Sequence, residues 1–364
     1  MVGMKFTHRT RWVFVAALFV SLTLAAGACS DDAAAKSPPK KTTTTTEATT
    51  TTAAPTTTVA PPATAPLTGQ APPDPSLMSR PALAVKIDNS PEAIPQTGIN
   101  KADIVFEIKV EGISRLMAVF HTQDADKLGP TRSARYSDPD ILALFGKPLF
   151  GWSGANEGVT KTVQSTPWIV NVNWGVGGND RYFRTKDKAA PHNLYTRTQN
   201  LYPLAQPDQP APAPIFDYLA AGEANPGSSP LPGFFEQILA TDSKWAFDPA
   251  LKQYVRWQYG KVDKTTDDGQ VRADNVVILQ IPYSGGAKAP IAITLGSGTA
   301  WVNTGGTTVQ GTWTRDDRTK RFELKGANGE PLKVAPGRTW VELLENPPAP
   351  MDAGTASGLL ASPR

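Results

Sequence analysis

The chain has one cysteine, Cys29, among 364 residues. It therefore forms no internal disulfide, and its stability has to come from packed cores. Histidine is almost as scarce, with three in all. There is no His-x-x-His pair and no cysteine cluster, and carboxylates alone do not specify a site, so no metal and no cofactor is expected. Gly-x-Ser-x-Gly, the P-loop and the dinucleotide fingerprint are missing as well. The glycine-rich stretches "VGGND" and "GWSGANEG" lack phosphate-loop spacing. A surplus of positive charge is also missing once the N-terminus is set aside. Without Lys5, Arg9 and Arg11 the 36 basic residues become 33, equal to the 33 acidic ones. The sequence pI near 8.8 thus reflects the N-terminus in large part, and no nucleic-acid partner is expected.

What the N-terminus does have is an address. A basic stretch precedes the apolar run Trp12–Ala28, which has the length of a signal-peptide core and is too short for a standard membrane span. Residues 1–28 read as a signal peptide. The run ends in "AGAC", small residues before Cys29, a pattern that resembles the bacterial lipobox. A lipid on Cys29 would also explain a lone cysteine in an exported chain. Residues 29–78 form a Thr/Pro/Ala-rich tether, "KTTTTTEATTTTAAPTTTVAPPATAP" at its centre, with too little apolar surface to offset its ordering entropy. The expected location is the extracytoplasmic face of the cell membrane, held there by lipid.

The remainder predicts an α+β chain, mixed α/β first and mainly β afterwards. Residues 79–202 carry the first domain. "ALAVKID" reads as a buried strand. "ADIVFEIKVEG" alternates, with Ile104, Phe106, Ile108 and Val110 on one face and Glu107, Lys109 and Glu111 on the other. With "SRLMAVFHT" it predicts a hairpin around Gly112. Ser137 is placed as a helix N-cap ahead of Pro139 and the apolar "DILALF". Residues 203–233 are dense in proline and predict a connector. Residues 234–346 read as short strands between Gly, Asn and Asp turns, and five of the nine tryptophans (Trp245, Trp257, Trp301, Trp313 and Trp340) lie there as core candidates. Residues 347–364 are expected to be a disordered tail.

The stretches "VKIDNSPEAIPQTGINKADIVFEIKVEGISRLMAVF", "LGPTRSAR" and "KAAPHNLY" resemble the YerB-type bacterial lipoproteins, and "LGSGTAWVNTGGTTVQGTWTR" and "PGRTWVELL" resemble their second domain. The resemblance covers about Pro81 to Leu343. It implies a lipid anchor and a two-domain layout, and it carries no established catalytic residues.

Polar groups that could do chemistry gather in the first domain. Asp88, Asn89 and Ser90 sit where a strand meets a loop, a common place for functional groups and equally for an Asx turn. Glu107 and Glu111 could divide acid and base roles, or form the wet face of a hairpin. A three-residue turn would place Glu111 opposite Arg115 as a cross-strand ion pair, the arrangement expected here. Arg132 and Arg135 precede the Ser137 cap. They can meet an external anion together with free helix N–H groups, or neutralise Asp88, Glu107 or Glu111 internally. His121 closes an apolar strand, whereas His192 lies in a loop beside Asn193 and is the better acid–base candidate. The candidates are thus Asp88, Glu111 and His192 for catalysis and Asn89, Arg132, Arg135 and Asn193 for ligand binding. The expected function is that of an accessory protein binding an anionic or sugar-containing envelope component. A hydrolase or transferase on an envelope glycopolymer, or a scaffold for cell-wall synthesis proteins, are the alternatives. Its expected partners are the membrane, through Cys29, and a cell-wall polymer or cell-wall synthesis protein.

Overall fold

The first segment alternates apolar and polar residues, yet its strands are covered on both faces. The computed structural model describes residues 64–176 and 178–363. The signal peptide, Cys29 and the tether up to residue 63 lie outside the described residues. The described chain is α+β, mixed in its first part and mainly β in its second.

The first part contributes β1 (Leu83–Ile87), β2 (Ile104–Lys109), β3 (Ser114–Phe120), α1 (Asp138–Leu142), β4 (Leu149–Gly151), α2 (Glu157–Gln164) and β5 (Val170–Asn171). A two-stranded ribbon follows, β6 (Tyr182–Arg184) and β7 (Leu194–Thr196). The second part contributes β8 (Gly233–Ile238), β9 (Thr241–Asp248), β10 (Gln253–Gln258), β11 (Asn275–Gln280), β12 (Gly296–Thr304), β13 (Thr307–Arg315), β14 (Glu323–Lys325), β15 (Thr339–Leu344), β16 (Ala349–Met351) and α3 (Ala353–Ala361).

One large sheet runs in the order β14-β13-β12-β11-β15-β2-β3-β1-β4-β5. Its seam is the parallel pair β2–β15, from Ile104 beside Thr339 to Ile108 beside Leu343. The two segments therefore share one sheet and are not packed as separate bodies. Both faces of that sheet draw on both segments. Ile104, Phe106 and Ile108 join Val341 and Leu343 in one core. Val105 and Leu116 join Trp245, Ile278 and Trp340 in the other. The second sheet, β10-β9-β8-β16, lies over the latter face, and the edge-to-face rings of Trp245 and Trp340, 5.2 Å apart, lock it there.

The structure corrects several expected boundaries. Order begins before residue 79, because Ala65 and Leu67 are fully buried and Gly337 N–H bonds to the Thr68 carbonyl. The proline-rich stretch after 203 is fastened down by buried Ile215 and Phe216, and by the Tyr218 hydroxyl on the Pro66 carbonyl. The tail is ordered too. β16 pairs with β8, Asp352 caps α3 by accepting from Thr355 N–H, and Ala356 is buried. Proline and glycine content misled the reading in all three places, since tertiary contacts supply the burial that local sequence lacks.

Candidate functional site

The site grows from the end of β1. Past Val85 that strand loses its partner β4, and residues 130–132 of "LGPTRSAR" take over. Asp88 N–H bonds to the Pro130 carbonyl, Arg132 N–H to the Lys86 carbonyl, and Ser153 N–H to the Arg132 carbonyl. The same loop is stitched to β7, through Thr131 N–H on Leu194 and the paired bonds between Leu128 and Thr196. β7 follows directly on the loop bearing His192. Strand, arginine loop and histidine loop are thus stitched together by backbone hydrogen bonds.

Asp88 is the centre. It is fully buried. Its Oδ2 lies 3.0 Å from Arg132 Nε and 2.8 Å from His192 Nδ1, and its Oδ1 accepts from Ser90 N–H at 3.2 Å. Ser90 Oγ is 3.1 Å from the same His192 nitrogen. A buried carboxylate so engaged orients its neighbours and fixes the imidazole through Nδ1. The Nη groups of Arg132 and Nε2 of His192 have no partner among the described residues, and their side chains remain 25% and 18% exposed.

Arg115 is the residue that sequence reasoning missed. It is 5% exposed, its Nε has no partner, and its one hydrogen bond, to the Ser133 carbonyl, is long at 3.4 Å. Burial, and next the neighbouring Arg135, push the guanidinium down to about 10. Arg132 and Asp88 are also within its electrostatic reach. The legible signal was its place in "SRLMAVF", the single charge in an otherwise apolar strand. Sequence reasoning had instead paired it with Glu111. The turn holds two residues, Glu111 and Gly112, so Arg115 faces Ile108 across the hairpin. Glu111 binds Arg135, with Oε2 2.8 Å from Nε and 2.5 Å from Nη2.

Other expected members are committed elsewhere. Arg135 directs its remaining nitrogen, Nη1, to the Ala134 carbonyl. The helix-terminus site does not form: α1 is a single short turn, Arg135 N–H is taken by Asp138, and Ser137 Oγ accepts from Ala292 N–H in place of capping. Asp138 also neutralises the fully buried Lys86 at 2.9 Å. Asn89 is buried, donating to Glu107 and Ser114 and accepting from Gln96. Asn193 accepts from Arg184 and donates to the Thr185 carbonyl, closing the ribbon. Both amides are structural.

Glu107 is not on a wet face. It is sealed beneath the second sheet, where Arg256 binds it at 2.7 Å. Glu107, Glu236 and Glu342 bring carboxylate oxygens within 4.8 Å of one another. Burial drives the Glu342 carboxyl well above its ordinary range and the Glu236 carboxyl up to about 7. The charge there is met by Arg256 and by protons, which accounts for the cluster as an internal polar network.

Family comparison places this geometry in context. Residues 67–210 match the N-terminal domain, and residues 236–341 the C-terminal domain, of a family described as protein of unknown function (DUF3048). The chain belongs to this family. It is 26% identical over 306 residues to "Putative lipoprotein YerB" of Bacillus subtilis (strain 168), covering 80% of this chain and 88% of the relative. The crystal structure of the YerB protein from Bacillus subtilis superposes with a TM-score of 0.67 at 22% identity, over 78% of this chain and 97% of that one. The two chains therefore share a fold. The β1 terminus with Asp88 and the arginine loop fall inside the residues matched to the N-terminal domain.

Proposed function

We propose that this DUF3048 protein is a membrane-anchored accessory protein that holds an anionic group of a cell-envelope component at Arg132, His192 and Arg115. One observation carries the reading. Asp88 uses one oxygen to meet both Arg132, as an ion pair, and His192, and the Nη groups and Nε2 are left without internal partners beside a second guanidinium, Arg115, that has no carboxylate in direct contact among the described residues. Preoriented donors of this kind suit a phosphate or carboxylate. Arg132→Gln should weaken binding of inorganic phosphate, or of a carboxylate-bearing muropeptide, by at least about tenfold, the worth of one charge-assisted hydrogen bond. Arg135→Gln should weaken it far less, since each Arg135 side-chain nitrogen is already bonded to Glu111 or to the Ala134 carbonyl. Titration calorimetry with both variants decides the matter. Equal affinity in wild type and Arg132→Gln would remove the site.

A second reading has its own observation. Asp88 on Nδ1 with Nε2 free is the orientation of a general base. Ser90 lies on the Nδ1 side, so Nε2 would activate water, not the serine, in a hydrolase acting on an envelope glycopolymer. Turnover lost in His192→Gln with binding retained would favour this over an accessory role.

The lipoprotein name of the relative and the small-small-Cys pattern support a lipid on Cys29. Cys29→Ala should move the protein from the membrane fraction to the medium. A variant that resists carbonate washing would contradict the anchor.

A further inference from the structure

The groove on the β12–β13 end of the large sheet is built independently of the Asp88 site. It encloses about 630 Å³, within the range of small-molecule sites. Its floor follows from the register of one hairpin. Trp301 stands opposite Gln310 and Asn303 opposite Thr308, so two cross-strand pairs two residues apart share one face. The half-buried Trp301 indole forms an apolar platform beside the exposed amide of Gln310. One step along the hairpin the floor turns polar.

That polar step is incomplete. Asn303 is 1% exposed, and its Nδ2 donates to the Val276 carbonyl at 3.0 Å. A carbonyl acceptor there fixes which end of the amide is nitrogen, so Oδ1 must be the other end. Oδ1 has no partner, and neither does the neighbouring Thr308 Oγ1. Buried acceptors without donors are uncommon in folded proteins and call for an explanation. The groove itself offers no lysine or arginine. Its one charged side chain, Glu330, accepts from Asn328 N–H at 3.0 Å.

We infer that this groove binds an uncharged sugar ring of a glycan chain. A pyranose has an apolar C–H face to lie on Trp301 and a rim of hydroxyls to reach Gln310, Asn328 and Thr308. A hydroxyl donor also answers the unsatisfied oxygen of Asn303. The lack of basic side chains argues against an anionic ligand here. A proline-rich peptide could stack on the indole as well. Its imide nitrogens carry no hydrogen, however, and would leave Asn303 Oδ1 unanswered.

The test uses the full chain with a neutral N-acetylglucosamine trimer and a mannose trimer as probes, read by tryptophan fluorescence and titration calorimetry. At least one trimer should bind. Trp301→Ala should weaken it by about tenfold or more, and Gln310→Ala, at an exposed position that does not endanger folding, by a few-fold. Arg132→Gln should bind the sugar as wild type does, which separates this groove from the anion site. The inference is overturned if neither trimer binds up to about 10 mM, or if both groove variants bind as wild type. It is also overturned if a proline-rich peptide alone shows Trp301-dependent binding.

Discussion

Arg256→Met lowers the stability of the folded protein by about 3–5 kcal/mol, the cost of leaving buried charge without its partner. Arg256 is fully buried between the two sheets. Its Nη2 donates to Glu107 at 2.7 Å and Ser243 at 2.6 Å, and its Nη1 to Asp263 at 2.6 Å and to Gln258. It also lies 5.0 Å from the Trp340 ring centre, the tryptophan at the seam. Burial alone would disfavour the charge, but Glu107, Asp263, Glu342 and Glu236 reverse that and hold the guanidinium firmly protonated. Methionine fills much of the volume and answers none of the carboxylates. Glu107 belongs to the first segment and Asp263 to the second, so the loss falls on the contact that joins them. Urea unfolding at pH 7 measures it. Adding Glu107→Gln and Asp263→Asn should restore a large part of the loss, because the stranded charges go with them. A loss below about 1 kcal/mol in Arg256→Met would mean that water reaches this network.

Stability should also fall as pH rises toward neutrality, and the Glu236–Glu342 pair should be the reason. Glu342 stands directly beside Glu107 across the β2–β15 seam, and its buried carboxyl meets that of Glu236, with which it shares a hydrogen bond when one of them holds a proton. Burial pushes the Glu236 carboxyl from 4.5 up to about 7, against the hydrogen bond with Glu342, with Glu107 adding to the rise and the charge of Arg256 and the hydrogen bond from Trp245 opposing it. Glu342 moves in the same direction, from burial first and then from Glu107 and Glu236. The folded state therefore keeps protons that the unfolded chain has released. The stabilising contribution is complete below about pH 4.5 and is lost as pH climbs through about 7. Glu236→Gln with Glu342→Gln keeps the shape and removes the titration. At pH 8 the double variant should exceed wild type by roughly 1–3 kcal/mol, and the gap should close toward pH 5. Melting curves across this range test it, and parallel curves for the two proteins would refute it.

Sequence alone was enough for the local pattern and for drawing notice to several of the polar residues that meet at Asp88. Alternation in "ADIVFEIKVEG" places Ile104, Phe106 and Ile108 on one face whatever lies above them, because side chains on a strand alternate by geometry. The glycine turn at Gly112, the β pattern beyond residue 234 and the choice of Asp88, Arg132 and His192 as unusual polar residues follow from local cues of the same kind. Residues that lie far apart in the chain were beyond those cues. Glu107 reads as a solvent-facing position until a second sheet, contributed by residues more than a hundred positions later, covers it and supplies Arg256. Arg115 and Glu111 look like a pair until a two-residue turn shifts the register and hands Glu111 to Arg135. Asn89 and Asn193 look available until their amides are found spent on Glu107 and Arg184. Strand and turn preferences act over a few residues. Which face is buried, and which charge has a partner, depends on contacts between segments, among them the parallel pairing of β2 with β15 and the second sheet that covers it.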